Sequence, residues 1–462
     1  MLWIYENNIL AGAENTRKGK RTGEMNEREA MEYIEWAGSL GVVPGLDNIR
    51  ELCKRMGDPQ KGLTFVHVAG TNGKGSVCTY IASVLKNAGY CVGRYISPVI
   101  FNYRERIQVN DRSITKRALC QGIEEIKRIC NGMTAEGLPH PTAFEIETAL
   151  GFWYFKEKSC DIVVLETGMG GLLDATNIVE NTAVAVLASI SMDHMNFLGK
   201  SLEQIAMHKT GVIKSGCHVL SAGQDPKVMA VIQKKAAELG CPLTAVTVNN
   251  INNIRYGLER QYFDYGNYRR LEITLAGKYQ IENAALAVDA LAALGEKGYT
   301  VTEAQLRKGF AEARWPGRFT IIKRHPLFIV DGAHNEDAVK RLAESIEFYF
   351  TNRKIIFIIG VLKDKEYDKI IGLTYSYARH IITVTPPENS RALPAYELAQ
   401  EAAKVHPSVT AVDSLEEAVE MSHLLAGRED VIIAFGSLSY LGRLIETVEK
   451  DFGKAAKRKN DR

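Results

Sequence analysis

Short apolar runs alternate with amphipathic segments along most of this 462-residue chain. The runs are almost continuously apolar, which is typical of parallel strands that are covered on both faces. The predicted strands span residues 63–68, 91–95, 161–166, 182–190, 327–330, 354–359, 380–385 and 430–435. Between them, apolar residues recur at helical spacing, for example over residues 77–85, 280–294 and 337–350. This alternation predicts an α/β fold built on mostly parallel sheets.

The chain is too long for one typical hydrophobic core, so we expect two domains. Pro316-Gly317 breaks the helical pattern that precedes it, and we place the domain boundary there. The predicted domains are residues 25–315 and 316–462. Within the first, residues 249–275 are polar and rich in aromatic side chains, in short alternating stretches. That segment predicts a small antiparallel sheet.

The first 24 residues do not share this pattern. A mildly apolar segment precedes the basic stretch from Arg17 to Arg21, which is the reverse of the order in a secretory signal. A clear amphipathic helix begins only after Met25. We therefore expect Met25 to be the natural start and residues 1–24 to be a disordered extension or the result of a mis-called start codon.

Composition narrows the class of protein further. Hydrophobic residues make up 46% and charged residues 24% of the chain, as in globular enzymes, and a net charge of +2 gives no reason to expect nucleic-acid or membrane partners. No apolar run approaches the roughly 20 residues that cross a bilayer. The eight cysteines form no C-x-x-C pair, which indicates free thiols in a reducing compartment. We expect a cytoplasmic protein that acts on small molecules.

The most specific motif is the run from His67 to Ser76, which reads His-Val-Ala-Gly-Thr-Asn-Gly-Lys-Gly-Ser and joins a predicted strand to a predicted helix. Its glycines allow a tight turn whose N–H groups, with the helix N-terminus, can hold phosphate. Lys74 supplies a cation for the β- and γ-phosphates, and Ser76 a hydroxyl. Val68 stands where the common G-x-x-x-x-G-K-[ST] motif has its first glycine. We expect a nucleoside triphosphate site rather than an ordinary glycine-rich turn.

Polar residues follow several predicted strands where a parallel sheet usually binds ligands. Glu166 and His194 are candidate metal ligands, and Ser97 could add a hydroxyl to a magnesium site completed by triphosphate oxygens. The alternative for Glu166 is a carboxylate that caps the glycine loop that follows it, and the alternative for His194 is an ordinary loop histidine. Asp331 follows a strand near the end of the chain. From spacing alone, Lys209 is expected to be a solvated surface lysine.

Taken together, these motifs resemble the folylpolyglutamate synthase/dihydrofolate synthase family, a branch of the Mur ligases. The resemblance runs from about Met25 to the C-terminal region, and the order and spacing of the motifs make it specific. The motifs are Pro44-Gly45-Leu46, Gly57-Asp58-Pro59-Gln60, His67 to Ser76, Tyr95-Ile96-Ser97-Pro98, Arg104-Glu105-Arg106-Ile107, Thr142-Ala143-Phe144-Glu145, Leu173-Asp174-Ala175-Thr176-Asn177, Met192-Asp193-His194, Lys209-Thr210-Gly211, Asn283-Ala284-Ala285-Leu286-Ala287, Trp315-Pro316-Gly317-Arg318-Phe319, Asp331-Gly332-Ala333-His334-Asn335 and Phe435-Gly436-Ser437-Leu438.

The resemblance implies an N-terminal P-loop ATPase domain and a smaller Rossmann-like C-terminal domain, with the active site between them. It implies nucleotide contacts from Asn72, Gly73, Lys74, Gly75, Ser76, Asn283, Arg318, Asp331 and His334. It implies magnesium ligands at Ser97, Glu166, His194 and Lys209, with Lys74, His194 and Lys209 as catalytic residues. ATP and two magnesium ions would be bound, and Lys209 would be the lysine that the family carbamylates.

The implied reaction is the ATP-dependent ligation of L-glutamate to a folate carboxylate through an acyl phosphate, by an enzyme that is commonly a monomer. Dihydropteroate, reduced folates or both remain open as acceptors. A Mur-type amide ligase with a non-folate acceptor is an alternative, and a non-catalytic ATP-dependent switch is another.

The chain departs from the family pattern without losing a proposed ligand. The departures are Ile96 for threonine, Val99 for histidine, Leu172 for arginine, and His208 and Thr210 for glutamate and alanine around Lys209.

Overall fold

A computed structural model describes residues 25–41 and 45–460, without the side chains of residues 451–460. The predicted N-terminal extension, residues 1–24, and Pro44 of the first family motif lie outside the described residues. Within the described part, no helix is both long enough and apolar enough to span a bilayer.

An eight-stranded sheet forms the centre of the N-terminal domain. Its strands are β1 (Phe65–Ala69), β2 (Val92–Tyr95), β3 (Ile107–Val109), β4 (Arg112–Ser113), β5 (Ile162–Glu166), β6 (Thr182–Leu187), β7 (His218–Ser221) and β8 (Leu243–Ala245). They lie in the order β4-β3-β2-β5-β1-β6-β7-β8, with β3 and β4 antiparallel at one edge and the rest parallel.

Helices cover both faces of this sheet. They are α1 (Glu27–Ser39), α2 (Asp47–Arg55), α3 (Lys74–Asn87), α4 (Lys116–Ala135), α5 (Ala143–Glu157), α6 (Met195–Leu198), α7 (Leu202–Lys209), α8 (Pro226–Glu238), α9 (Gln280–Glu296) and α10 (Glu303–Glu312). Successive side chains of a strand point to opposite faces, so Val66 and Val68 pack with α3, α9 and α10, while Phe65 packs with α1, α2, α4 and α5. The central strands are thus buried on both faces, as their continuous apolar character predicts.

The predicted antiparallel excursion is confirmed. Strands β9 (Ile251–Arg255), β10 (Gln261–Tyr265) and β11 (Tyr268–Ile273) form a three-stranded sheet in the order β11-β10-β9. Its inward side chains Phe263 and Leu271 join the same core as α9, which fixes this small sheet to the N-terminal domain.

A second, six-stranded sheet forms the C-terminal domain. Its strands are β12 (Thr320–Arg324), β13 (Leu327–Val330), β14 (Ile355–Ile359), β15 (His380–Thr383), β16 (Val409–Ala411) and β17 (Val431–Phe435), and its helices are α11 (Glu336–Tyr349), α12 (Tyr367–Thr374), α13 (Ala395–Ala403), α14 (Leu415–Leu425) and α15 (Leu441–Asn460). The order is β12-β13-β17-β14-β15-β16, and only β12 is antiparallel to its neighbour.

The α/β prediction with mostly parallel sheets is therefore confirmed, and each predicted strand exists with small shifts at its ends. The largest shift is in β6, which was expected to reach residue 190 and stops at Leu187. The domain limits 25–315 and 316–462 stay a prediction, and the second sheet begins with β12 at Thr320.

Candidate active site

The phosphate loop joins β1 to α3, and α3 begins at Lys74. The apolar period from Val77 predicts a later start, because the first helical turn carries loop residues rather than apolar ones. Gly73 precedes the helix in the left-handed region, with φ of 87°. A side chain would be strained in that conformation, so glycine is required for the turn into α3.

Side chains that lie close to the loop give a second reason why two of its residues are glycine. A Cβ atom at Gly73 would lie 2.6 Å from Oδ1 of Asn283, and a Cβ at Gly75 would lie 2.5 Å from Cζ2 of Trp315. Asn283 thus lies behind the loop rather than in the cavity wall. The tight packing of α9 and of the domain junction holds the loop in place.

A cavity of about 730 Å³ opens between the two domains at this loop. It brings together residues that lie far apart in the sequence, at the carboxyl ends of strands of both parallel sheets. Its walls include Asn72, Gly73, Lys74, Gly75, Ser76, Ser97, Glu166, His194, Lys209, Arg318, Asp331 and His334. Of the residues that the sequence singles out, Asn283 is the exception.

Two lysines share one carbonyl at the loop. Nζ of Lys209 donates to the carbonyl oxygen of Gly70 at 2.8 Å, and Nζ of Lys74 donates to the same oxygen at 3.1 Å. Lys209 is 3% exposed, so the expectation of a solvated surface lysine is wrong. Burial, reinforced by the Lys74 charge, lowers the pKa of Lys209 to about 7.

Glu166 is buried at the end of β5. Its Oε2 accepts a hydrogen bond from the backbone N–H of Ser97 at 3.3 Å. Burial raises the pKa of the Glu166 carboxyl, and the nearby Lys74 charge offsets part of this rise. The N–H of Met169 in the following glycine loop donates to Asp174 at 2.8 Å, so the capping role considered for Glu166 belongs to Asp174.

His194 lies beyond β6 and precedes the short helix α6. Its backbone is left-handed, with φ of 50°, and its N–H donates to Oδ1 of Asp193 at 2.8 Å. Burial lowers the pKa of His194, although the Asp193 carboxylate opposes this. The histidine side chain keeps 40% of its surface exposed toward the cavity that it lines.

The C-terminal domain contributes the opposite wall. Asp331 at the end of β13 accepts hydrogen bonds from the N–H of Phe319 at 2.7 Å and from the hydroxyl of Tyr279 at 3.1 Å. Nδ1 of His334 lies 2.7 Å from the carbonyl oxygen of Gly332, and burial lowers the pKa of His334 to about 4. This imidazole is therefore neutral at physiological pH.

Sequence reasoning missed several polar residues of the cavity. Nζ of Lys365 donates to Oδ1 of Asp193 at 2.9 Å. Lys365 follows β14, so the strand-end rule that identified Glu166 could also have identified it. Arg106, on the N-terminal side, forms an ion pair with Glu147 at 3.4 Å. Arg106 belongs to the Arg104-Glu105-Arg106-Ile107 motif, but no pattern in the sequence marked its pairing with Glu147.

Apolar side chains form the remaining wall of the N-terminal side. They are Phe144, Met169, Leu173, Phe197 and Leu198. Leu172, beside this wall, is 47% exposed. Exposed apolar surface next to a cavity is typical of a site that binds a partly apolar ligand.

The donors at Ser97 and Glu166 are chemically suited to magnesium, which prefers hard oxygen ligands. Among the described residues, no group of three or more His, Cys, Asp or Glu could hold a metal by itself. Magnesium usually keeps waters and binds substrate phosphates, so a small set of protein donors beside a phosphate loop fits the ion.

Comparison with known proteins identifies both domains. The Mur ligase middle domain family matches residues 68–291, and the Mur ligase glutamate ligase domain family matches residues 317–438. The chain is 33% identical to the dihydrofolate synthase/folylpolyglutamate synthase of Bacillus subtilis, over 90% of this chain and 97% of that one. It is 33% identical to the folylpolyglutamate synthase of Lacticaseibacillus casei, over 82% of this chain and 90% of that one.

Solved structures agree with these sequence relatives. Folylpolyglutamate synthase of Mycobacterium tuberculosis, complexed with ADP and AMPPCP, superposes with a TM-score of 0.83 at 26% identity, over 90% of this chain and 98% of that one. Escherichia coli FolC, complexed with DHPP and ADP, superposes with a TM-score of 0.80 at 30% identity, over 91% of this chain and 98% of that one.

Proposed function

Because this chain belongs to the folylpolyglutamate synthase/dihydrofolate synthase family of Mur ligases, we propose that it ligates L-glutamate to a folate carboxylate with ATP as the energy source. The observation that carries the proposal is the cavity at the phosphate loop, which both domains line. In it, the phosphate loop with Lys74 faces Arg318, Asp331 and His334 of the C-terminal domain. A non-folate acceptor is not favoured, because the relatives are named for folate substrates.

In the first step, an oxygen of the acceptor carboxylate attacks the γ-phosphorus of ATP, and ADP leaves. Two anions must approach one another, so the cations that line the cavity lower the barrier. Lys74, which follows the turn at Gly73, would neutralise charge on the triphosphate, and Arg318 would add a second cation from the C-terminal domain.

In the second step, the α-amine of L-glutamate attacks the carbonyl carbon of the acyl phosphate. An amide bond forms, phosphate leaves and an amine proton is released. Water would destroy the acyl phosphate, so both domains must enclose the site during the reaction. The cavity draws its walls from both domains, as such an enclosure requires.

Ser97, Glu166 and His194 would hold magnesium on the N-terminal wall. The bound ions would supply neutralising charge next to the transferred phosphoryl group. Glu166 suits this role because its carboxylate is buried and faces Lys74 rather than a salt-bridge partner at the protein surface.

Lys209 would carry a carbamate. Carbamylation needs a neutral amine, and burial beside Lys74 lowers the pKa of Lys209 to about 7, so a large share of the amine is neutral under physiological conditions. The modification would replace a buried cation by an anion that can contribute to the metal site.

The acceptor would lie against the apolar wall formed by Phe144, Met169, Leu173, Phe197 and Leu198. Such a wall suits an aromatic group of the kind that dihydropteroate and reduced folates share. It does not distinguish between them, so both remain candidate acceptors. We further propose a monomer in the cytoplasm, which is consistent with eight free cysteines.

The test is ADP release by the purified protein with ATP, magnesium and L-glutamate, with dihydropteroate or tetrahydrofolate in separate reactions. We expect release with at least one acceptor. Lys74→Ala should lower turnover by roughly a thousandfold or more, because a cation at the transferred phosphate is lost, while the circular dichroism spectrum is unchanged.

Lys86→Ala is the matched control, since Lys86 lies on the same helix and pairs with Asp111 at the protein surface. It should retain wild-type turnover. No ADP release with either acceptor would contradict the folate assignment, and an active Lys74→Ala variant would contradict the role of the loop.

A further inference from the structure

Five polar side chains connect the two domains beside the phosphate loop. Asn72 and Asp193 belong to the N-terminal domain, and Asn335, Asp337 and Lys365 belong to the C-terminal domain. We call this group the interdomain latch. Asn335 belongs to a motif that the sequence marked, whereas Asp337 and Lys365 were not singled out.

The strongest contact is between Lys365 and Asp193. Nζ of Lys365 lies 2.9 Å from Oδ1 of Asp193, and the two side chains are only 11% and 10% exposed. Because water is largely excluded, the attraction is screened much less than at the surface, and removal of either partner leaves a buried charge without compensation.

Asn335 links this pair to the phosphate loop. Its Nδ2 donates to Oδ2 of Asp193 at 3.1 Å and to Oδ1 of Asn72 at 3.1 Å. In return, Nδ2 of Asn72 donates to Oδ1 of Asn335 at 3.1 Å and to Oδ2 of Asp337 at 2.8 Å. One side chain of the C-terminal domain therefore contacts two separate loops of the N-terminal domain.

The Asp193 end of the latch also fixes backbone geometry. The Oδ1 atom that accepts from Lys365 also accepts from the N–H of His194 at 2.8 Å. His194 has a left-handed backbone, which is unfavourable for a residue with a Cβ and needs support from its surroundings. The orientation of the His194 loop therefore depends on a carboxylate that the C-terminal domain holds.

We propose that Lys365 is a positioning residue, and that docking of the C-terminal domain through the interdomain latch orders the phosphate loop and the His194 loop together. This inference rests on the proposed function and adds the condition that catalysis requires the two domains to be docked. The loops that hold phosphate and metal reach their reactive arrangement only when the cavity is enclosed, which limits the loss of ATP to water.

The test compares the wild type with Lys365→Met, Lys365→Arg and Lys363→Met. Lys363 is an exposed lysine two positions away and serves as the matched control. Amide hydrogen exchange is measured without nucleotide or metal over residues 70–74 and 193–198, with α14 as the reference segment. Turnover is measured on the same samples.

Lys365→Met should speed exchange in both loops at least tenfold and lower kcat at least tenfold, with α14 unchanged. Lys365→Arg should restore part of both effects, and Lys363→Met should match the wild type. Exchange and kcat within twofold of the wild type would overturn the inference. Faster exchange throughout, α14 included, would also overturn it, because the role would then be structural.

A second variant, in the N-terminal domain, also tests the interdomain latch. It can be measured even if Lys365→Met does not fold. Asn72→Asp places a carboxylate opposite Asp337, and it should speed exchange over residues 193–198, which the Asn72 side chain contacts through Asn335. Unchanged amide exchange over residues 193–198 would contradict the proposed role of the interdomain latch. Hydrogen exchange needs no substrate, so an inactive wild type would refute the proposed function and leave this test valid.

Discussion

The position of Lys209 in the sequence suggests an exposed lysine. In the folded chain its side chain is buried, and burial lowers the pKa of its amine. The residue ends a short helix, and helix ends are commonly exposed. In the folded chain its ammonium group lies against the phosphate loop, with Lys74 donating to the same carbonyl oxygen. Desolvation and a like charge both favour the neutral amine, so this lysine can act as a nucleophile toward carbon dioxide.

We expect protein incubated with ¹³C-labelled bicarbonate at pH 8 to show a carbamate resonance in the ¹³C NMR spectrum. The pKa of Lys209 is about 7, below the value of an ordinary lysine, so the amine is mostly neutral above pH 7 and protonated below it. The resonance should therefore weaken as the pH is lowered through 7.

Lys209→Gln should abolish the resonance, and Lys200→Gln, at an exposed lysine, should retain it. A resonance that persists in Lys209→Gln would assign the carbamate to another amine. Absence of the signal in the wild type at pH 8 would contradict carbamylation.

At the scale of elements, the strand-to-loop transitions hold most of the site. The sequence allowed Ser97, Glu166, His194 and Asp331 to be placed there, because continuous apolar strands end abruptly at polar residues and parallel strands present those ends on one edge. Short edge strands such as β4 were not predicted, since two residues carry no usable periodicity.

The sequence also says little about how closely loops approach helices. The N–H of Leu172 donates to the carbonyl oxygen of His208 at 2.7 Å, which brings the glycine loop after β5 onto the end of α7. At Gly211, an added Cβ would lie 2.4 Å from Cα of Leu172. This close approach between backbones decides that residue 211 is glycine.

We expect Gly211→Ala to lower the free energy of unfolding by about 1–3 kcal/mol, because backbone must move to admit the methyl group. Gly372→Ala is the control. Gly372 lies inside α12 with nothing within 4 Å of an added Cβ, so alanine should stabilise the protein by about 0.5–1 kcal/mol. Urea denaturation measures both. Equal stability of Gly211→Ala and the wild type would show that the loop can move away without cost.

For the whole molecule, the sequence predicted two α/β domains but not which side chains meet between them. Contacts such as Lys365 with Asp193 join residues that no periodicity relates, and they depend on how the two domains pack. The cavity is a property of that packing. The resemblance to a family supplied the roles of Arg318, Asp331 and His334, whereas the structure shows only that they share a wall.

Nucleotide binding should depend on both domains. We expect Arg318→Ala to weaken ADP binding by about tenfold to a hundredfold, since hydrogen bonds to charged groups contribute about 1.5–3 kcal/mol. Isothermal titration calorimetry with ADP and magnesium measures the change. Arg353→Ala, at an exposed arginine of the same domain, should bind as the wild type does. Wild-type affinity in Arg318→Ala would show that Arg318 does not contribute to ADP binding.

The packing of Trp315 against Gly75 has a mechanical consequence. Trp315 lies next to the predicted domain boundary, and its ring touches the first turn of α3, the helix that follows the phosphate loop. A pivot at this position would lie next to the phosphate loop, and rotation displaces each atom in proportion to its distance from the pivot. A rotation of the C-terminal domain about this position would therefore displace the far rim of the cavity most and the phosphate loop least.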